Sequence, residues 1–261
     1  RQLGFMPDAG KWGRKRARRF ARTLRRDLIR GEGFWLEHSP QYQFVILKLV
    51  EDFLVASNRL EGVARLNERL AEVAAWLVMP DDQVVLLGDT NRLAVPRPIV
   101  GRAAELDGML WLPGSGLAVS RDRDAGSYVS TAATFFSSVH KHSDELTFDL
   151  YEHGHRIVSD SGNWSNDPGE WRKFGRSARA HSVLTVDGKK FPRRSKKAYG
   201  SGLRAAGNGA GWFAVQGVNP LLRDQGVHHK RVLLHKPGLA LIVIDRVRSV
   251  KRHTYRRHFQ L

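Results

Sequence analysis

The spacing of apolar residues changes near Leu106, and this change constrains the fold more than any other feature of the 261-residue chain. Before it, apolar side chains recur every three or four positions, as a helix that buries one face requires. Ile46, Leu49, Val50, Phe53 and Leu54 make one such stripe; Leu60, Val63, Leu66, Leu70, Val73, Ala74 and Leu77 make the next. Ser39-Pro40 predicts a helix opening at Pro40, Asn58 with Glu61 predicts a second capped start, and Met79-Pro80 predicts a stop. After Leu106 come short apolar or alternating runs, among them GMLWLP, GLAVSRD, LTFDLYE, SVLTVDG, GWFAVQG, KRVLLHK and LALIVIDRV, separated by Gly, Asp and Asn. That is the pattern of antiparallel strands joined by hairpins. The expected class is α+β in two domains: helices over 1–80, a linker rich in Pro, Asp and Asn over 81–105, and sheets over 106–261.

Lys and Arg number 43 against 26 Asp and Glu, a net charge of +17. Such an excess favours an anionic partner: nucleic acid, a membrane surface or an acidic polysaccharide. Two segments concentrate it, RKRARRFARTLRRDLIR at 14–30, with Phe20, Leu24 and Leu28 on one helical face, and KKFPRRSKK at 189–197. A solvated helix face or a solubilising loop accounts for either segment as readily as a polyanion site does. No nucleic-acid-binding fold signature accompanies them, which disfavours that partner. The chain has no cysteine, so disulfides and thiolate metal sites are excluded and any metal must use His and carboxylates. No apolar run reaches the roughly 18 residues of a membrane span. The first thirty residues lack the apolar stretch and cleavage site of a signal peptide. The chain opens mid-pattern on Arg1 and stops within a strand-like HFQL, and is expected to be a piece of a longer protein.

The most chemically loaded stretch is SSVHKHSDELTFDLYEHGHRIVSDSG at 137–162. On a strand, residues two apart share a face, which predicts His140, His142 and Asp144 side by side. His153 and His155 flank Gly154 in what reads as an exposed hairpin turn. Four strings, in order, resemble segments of the heparinase II/III-like polysaccharide lyases. GFWLEHSPQYQF resembles the family's Asp-Gly-x-x-x-Glu-x-Ser-Pro-x-Tyr segment, and PDDQVVLLGD the stretch joining helices to sheets. HKHSDELTFDLYEHGHRIVSDSG resembles its His-Gly-His-x-Asp strand and Asp-Pro-Gly turn, and WRKFGRSARAHSVLTVDG its Arg and Ala-His-Asn-Thr-Val-x-Val-Asp-Gly region. Lys141 stands where the family has Gly, Ser161 where it has Pro, and Ser182-Val183 where it has Asn-Thr. The resemblance implies the C-terminal part of an incomplete (α/α) toroid followed by an antiparallel β-sandwich. It further implies a bacterial lyase, periplasmic or secreted, with a cytoplasmic location left open by the sequence itself, that cleaves an acidic uronate-containing polysaccharide of heparan sulfate or alginate type by β-elimination. The rival reading is a noncatalytic polyanion-binding protein of the same fold.

Such an elimination needs a base for the C5 proton, an acid for the leaving C4 oxygen, and neutralisation of the substrate carboxylate. By the resemblance, Tyr42 is the catalytic tyrosine; its place in the first turn of a helix favours phenolate by about 0.3–1 kcal/mol. His140 matches the catalytic histidine, whose unperturbed pKa of about 6.5 suits proton transfer or carboxylate neutralisation. The family's carboxylate-neutralising Asn or His lies on an earlier toroid helix, which puts it upstream of Arg1. His142, Asp160 and His181 match a zinc site of some members, and two imidazoles with one carboxylate suit zinc. Their separations of 18 and 21 residues are too long for a local motif, so a fold must gather them. The metal would be structural, anchoring the strand that aims His140. Arg176 and Arg179 are clamps for substrate carboxylate or sulfate, or equally well structural ion pairs. Asp144 orients a histidine or caps a turn, and Trp164 and Trp171 offer sugar-stacking surface or fill a core.

Overall fold

The computed structural model describes residues 9–28, 32–56, 61–193, 195 and 198–261. Helices come first: α1 (Ala9–Thr23), continued by a π-helical turn at Leu24–Leu28, then α2 (Pro40–Ala56), α3 (Glu61–Trp76) and α4 (Arg97–Ala104). α2 opens at Pro40 as expected, because proline's fixed φ and missing N–H suit a first helical turn. The Ser39 hydroxyl, expected as its cap, bonds the Thr90 hydroxyl instead, at 2.8 Å. The expected Asn58 cap lies outside the described residues, as does part of the basic run at 189–197. Val50, Leu70 and Ala74 are fully buried between these helices, so the apolar stripes face one another.

Strands follow: β1 (Gly108–Leu112), β2 (Leu117–Asp122), β3 (Ser127–Ala132), β4 (Thr147–Glu152) and β5 (His155–Val158) form one antiparallel sheet in sequential order. After a short helix α5 (Glu170–Gly175) come β6 (Leu184–Val186), β7 (Leu203–Gly209), β8 (Trp212–Asn219), β9 (Val227–Lys236), β10 (Ala240–Ser249) and β11 (Tyr255–Arg257). The second sheet runs β10-β9-β8-β7, and β6 pairs with β11. Val129, Phe148 and Leu150 of the first sheet pack on Phe213, Val215 and Leu233 of the second, which makes a sandwich. The other face of the first sheet, with Leu110, Leu117, Val119 and Tyr128, packs on Phe34, Val73, Trp76 and Leu87 from the helical part. Three layers result, and the middle sheet is covered on both faces. That explains why β2, β3 and β4 are buried almost end to end while β8 alternates buried and half-buried positions.

Two expectations need correcting. Residues 81–105 are not a free linker: Val84 to Thr90 are buried, Arg97–Ala104 is helical, and Arg156 of β5 grips the Asp81 carboxylate through Nε at 2.7 Å and Nη2 at 3.1 Å. Nor is His140–Asp144 a strand, since β4 begins only at Thr147. Lys141, 2% exposed, binds the carboxylates of Asp144 and Glu145 three and four positions on. An extended chain carries such positions away from one another, so the segment turns to satisfy its buried ammonium. His153-Gly154 is the exposed turn between β4 and β5, as expected. No helix among the described residues is long and apolar enough to cross a membrane.

Candidate active site

The helical part and the sandwich meet where three irregular segments, 33–39, 84–90 and 133–146, lie against one another. Gln43 fixes the first: its Oε1 accepts from the Trp35 N–H at 2.8 Å, and its Nε2 donates to the carbonyls of Gly33 at 2.8 Å and Leu70 at 2.9 Å. His38 fixes the third to the first. Its buried ring engages the Thr134 hydroxyl through Nδ1 at 3.1 Å and the backbone of Ser137 through Nε2. Thr134 offers an O–H and Ser137 both a C=O and an N–H, so either neutral tautomer is satisfied. Burial, helped by the Lys141 ammonium, pushes the His38 imidazole down to about 3. Gly88 completes the junction: at φ +56, any Cβ would stand 2.5 Å from the carbonyl oxygen of His38 and 2.7 Å from that of His140. Only glycine fits there.

This junction sets Tyr42 of α2 against His140. Their rings stack with centroids 3.6 Å apart and planes 17° from parallel. His140 sits at φ +53, with its carbonyl accepting from the Asp89 N–H at 3.1 Å. Its Nδ1 lies 3.4 Å from the Glu37 carboxylate. The expected face-sharing row is therefore absent. His140 goes to Tyr42 and Glu37, His142 to Asp89, and Asp144 to Lys141. Although burial opposes it, Lys141 holds Asp144 well below the usual carboxylate range, whereas burial pushes Glu145 up to about 8.

Asp89 is the hub of the polar network. It bonds His142 Nε2 at 2.8 Å through one oxygen and accepts from Arg176 Nη2 at 2.7 Å through the other. Burial would raise its pKa, but these two partners hold it far below the usual range. Behind it, the His181 ring lies 5.2 Å from that of His142. His181 Nδ1 contacts both Asp160 oxygens, at 3.0 and 2.9 Å. Asp160 also accepts from the Thr147 hydroxyl at 3.0 Å and the Gly162 N–H at 3.2 Å. His142 Nδ1 and His181 Nε2 are both buried without a hydrogen-bond partner. Each imidazole thus has a carboxylate on one nitrogen and leaves the other open, the arrangement of a metal-ligating histidine. The open nitrogen of His181 is the one Asp160 does not touch, so Asp160 stands as an outer carboxylate. Among the described residues no three His, Asp or Glu side chains converge as a ligand set. The two histidines fit a metal; the three-residue set does not close as the side chains stand.

Residues 105–261, more than half of the chain, match the sequence family described as Heparinase II/III-like, C-terminal. The chain belongs to the heparinase II/III-like family. No curated protein matches it. Among solved structures it is similar to a heparinase III with methylated lysines, at TM-score 0.80 and 16% identity over 96% of this chain and 43% of that one. The heparan sulfate lyase HepC of Pedobacter heparinus matches at TM-score 0.78 and 17% identity, over 94% of this chain and 43% of that one. A further heparinase III matches at TM-score 0.74 and 16% identity. These likenesses establish the fold: the C-terminal part of the toroid followed by the antiparallel sandwich. The chain spans less than half the length of the structures it matches.

Within this heparinase II/III-like fold the residues singled out from the sequence separate into two groups. Tyr42, His140, His142, Asp160, His181 and Arg176 are joined by direct contacts into one network through Asp89. Arg179 is exposed and outside it, with its backbone carbonyl accepting from Gln260. Glu37, His38 and Asp89 were not anticipated. Glu37 and His38 sit inside the tyrosine-bearing string and Asp89 ends PDDQVVLLGD, yet only the folded chain shows which side chains they meet. Trp164 and Trp171 stack on each other at 5.4 Å while remaining 54% and 65% exposed, so neither fills a core.

Proposed function

We propose that this chain carries the proton-transfer part of a polysaccharide lyase centre and that Tyr42 and His140 are its proton-transfer groups. The observation that carries the reading is the Tyr42–His140 stack, which brings a phenol from the helical part against an imidazole from the sandwich. β-Elimination removes the C5 proton of a uronate, forms a C4–C5 double bond, and breaks the C4–O bond, whose oxygen leaves with a proton. A phenol and an imidazole in contact suit the two proton transfers. Glu37 beside Nδ1 of His140 orients the imidazole. The substrate is an acidic uronate-containing polysaccharide of heparan sulfate or alginate type, consistent with the net charge of +17.

Absorbance of the unsaturated uronate product, followed with heparan sulfate, alginate and hyaluronate, tests this reading in the complete protein. Tyr42→Phe and His140→Ala should each lower kcat by about 10²–10⁴-fold. Activity that survives both substitutions rejects it, and tight binding without product favours the noncatalytic alternative. The reading includes a structural zinc on His142 and His181, supported by their two open imidazole nitrogens, with Asp160 orienting His181 from outside rather than serving as a ligand. Purified protein without stoichiometric zinc in metal analysis rejects that part alone.

A further inference from the structure

The network above leaves unexplained a basic cleft of about 500 Å³ between α5 and residues 190–193. Arg172, Lys173, Arg176, Lys190 and Arg193 line it, with Pro168 and Gly169 and no acidic residue. Arg176 is held by Asp89 and Lys173 by Glu170, at 2.8 Å. Arg172 and Arg193 donate only to neutral carbonyls, of Ser165 at 3.0 Å and Lys141 at 3.1 Å. Among the described residues no carboxylate pairs with Arg172 or Arg193, so two guanidinium charges face one cleft uncompensated, beside a Lys190 whose charge reaches only the exposed Glu170. Arg176 Nε is buried there without a partner. Like charges gathered around one hollow repel, and nothing in the packing of α5 requires them. The same helix carries Trp171, stacked on Trp164 and mostly exposed, a flat apolar surface of the kind that receives the face of a sugar ring.

We propose that this cleft is a sulfate-binding subsite for the polysaccharide, separate from the Tyr42–His140 pair; it rests on the polysaccharide reading above. Guanidinium forks bind oxyanions through paired N–H donors, and Lys190 adds a point charge. Carboxylates alone supply at most one charge per uronate, too few for two free guanidiniums with Lys190 beside them in a space of one or two sugars. Sulfate esters supply the difference. Trp171 gives the apolar contact that a bare ion cannot use. Arg176 joins this cleft to the centre, since it lines the first and bonds Asp89 of the second.

The test reads binding, not turnover. In the full chain carrying Tyr42→Phe, a heparin hexasaccharide and its desulfated, N-acetylated counterpart are compared by isothermal titration at one salt concentration. The sulfated chain should bind more tightly, and Arg172→Ala with Lys190→Ala should cut that preference by about tenfold or more. Quenching of tryptophan fluorescence by the sulfated hexasaccharide should shrink in Trp171→Ala. The exposed Lys190→Ala alone, which leaves the fold intact, should show a smaller loss in the same direction. Equal affinity for the two sugars, or a preference untouched by these substitutions, overturns the subsite. So does duplex DNA competing equally at matched salt with the same sensitivity to them. A protein that shows the preference but never forms unsaturated product keeps the subsite and loses the lyase reading; one that cleaves without the preference does the reverse.

Discussion

His38 shows how one side chain can hold a junction by refusing a proton. Its ring ties the segment that delivers His140 to the segment that delivers Tyr42. The groups around it are Lys141 and His140, which disfavour its charge, and Asp144, which favours it; burial outweighs all three. The native pKa of about 3 lies below the roughly 6.5 of an unfolded histidine, so between those values the unfolded chain takes up a proton that the native ring does not. Stability from His38 is therefore complete above about pH 6.5 and declines as pH falls toward about 3. Urea unfolding over that range should show the wild type losing its advantage over His38→Gln as the pH drops. A pH-independent difference between the two proteins would remove His38 from this role.

Among elements, β9 and β10 show what happens when a sheet buries charge. Arg231 and Asp245 face each other in register across the pair, and both are about 1% exposed. Arg231 donates to Asp245 through Nε at 2.8 Å and Nη2 at 3.0 Å, and its Nη1 reaches the carbonyls of Leu146 at 2.9 Å and Ser182 at 2.5 Å. The pair thus pins the segment before β4 and the segment after His181 to the second sheet. Asp245→Ala leaves the guanidinium buried without its counter-charge and should cost about 3–5 kcal/mol in equilibrium unfolding. A change of under about 1 kcal/mol would mean that water reaches Arg231 after all.

The same elements mark the limit of what the sequence tells. The helix opening at Pro40, the turn at His153-Gly154 and the change from helices to strands follow from local rules, because proline geometry, glycine's left-handed backbone and apolar spacing act within a few residues. The resemblance drew Tyr42 and His140 together without geometry. What was not legible is the turn at 140–146, the docking of 84–90 and the hub at Asp89. Each depends on partners far along the chain: Lys141 looks like a surface lysine until its burial is known, and Asp89 looks like a loop aspartate until His142 and Arg176 arrive from 53 and 87 positions away. Nor was it legible that Arg179 stands exposed and apart from the Asp89 network, since spacing near His181 says nothing about the direction in which a side chain leaves a short helix.

For the whole molecule, the middle sheet makes the helical part and the sandwich interdependent. Tyr128 of β3 donates its buried hydroxyl to the Trp76 carbonyl of α3 at 3.0 Å, and Arg121 of β2 donates to the carbonyls of Val78 and of Ala103, the latter at 2.7 Å. With a shared core between the layers, neither side keeps its apolar face covered alone. Tryptophan fluorescence and far-UV circular dichroism should therefore report one coincident urea transition. Two separated transitions would show that the layers fold independently.

The Tyr42–His140 stack gains a further meaning from this interdependence. Its phenol and its imidazole come from different layers and meet only across Gly88, where two carbonyls leave no room for a side chain. A half-folded chain, with either layer unformed, has both groups but no pair. The pair is therefore a mark of docking, present only where both layers have formed and met.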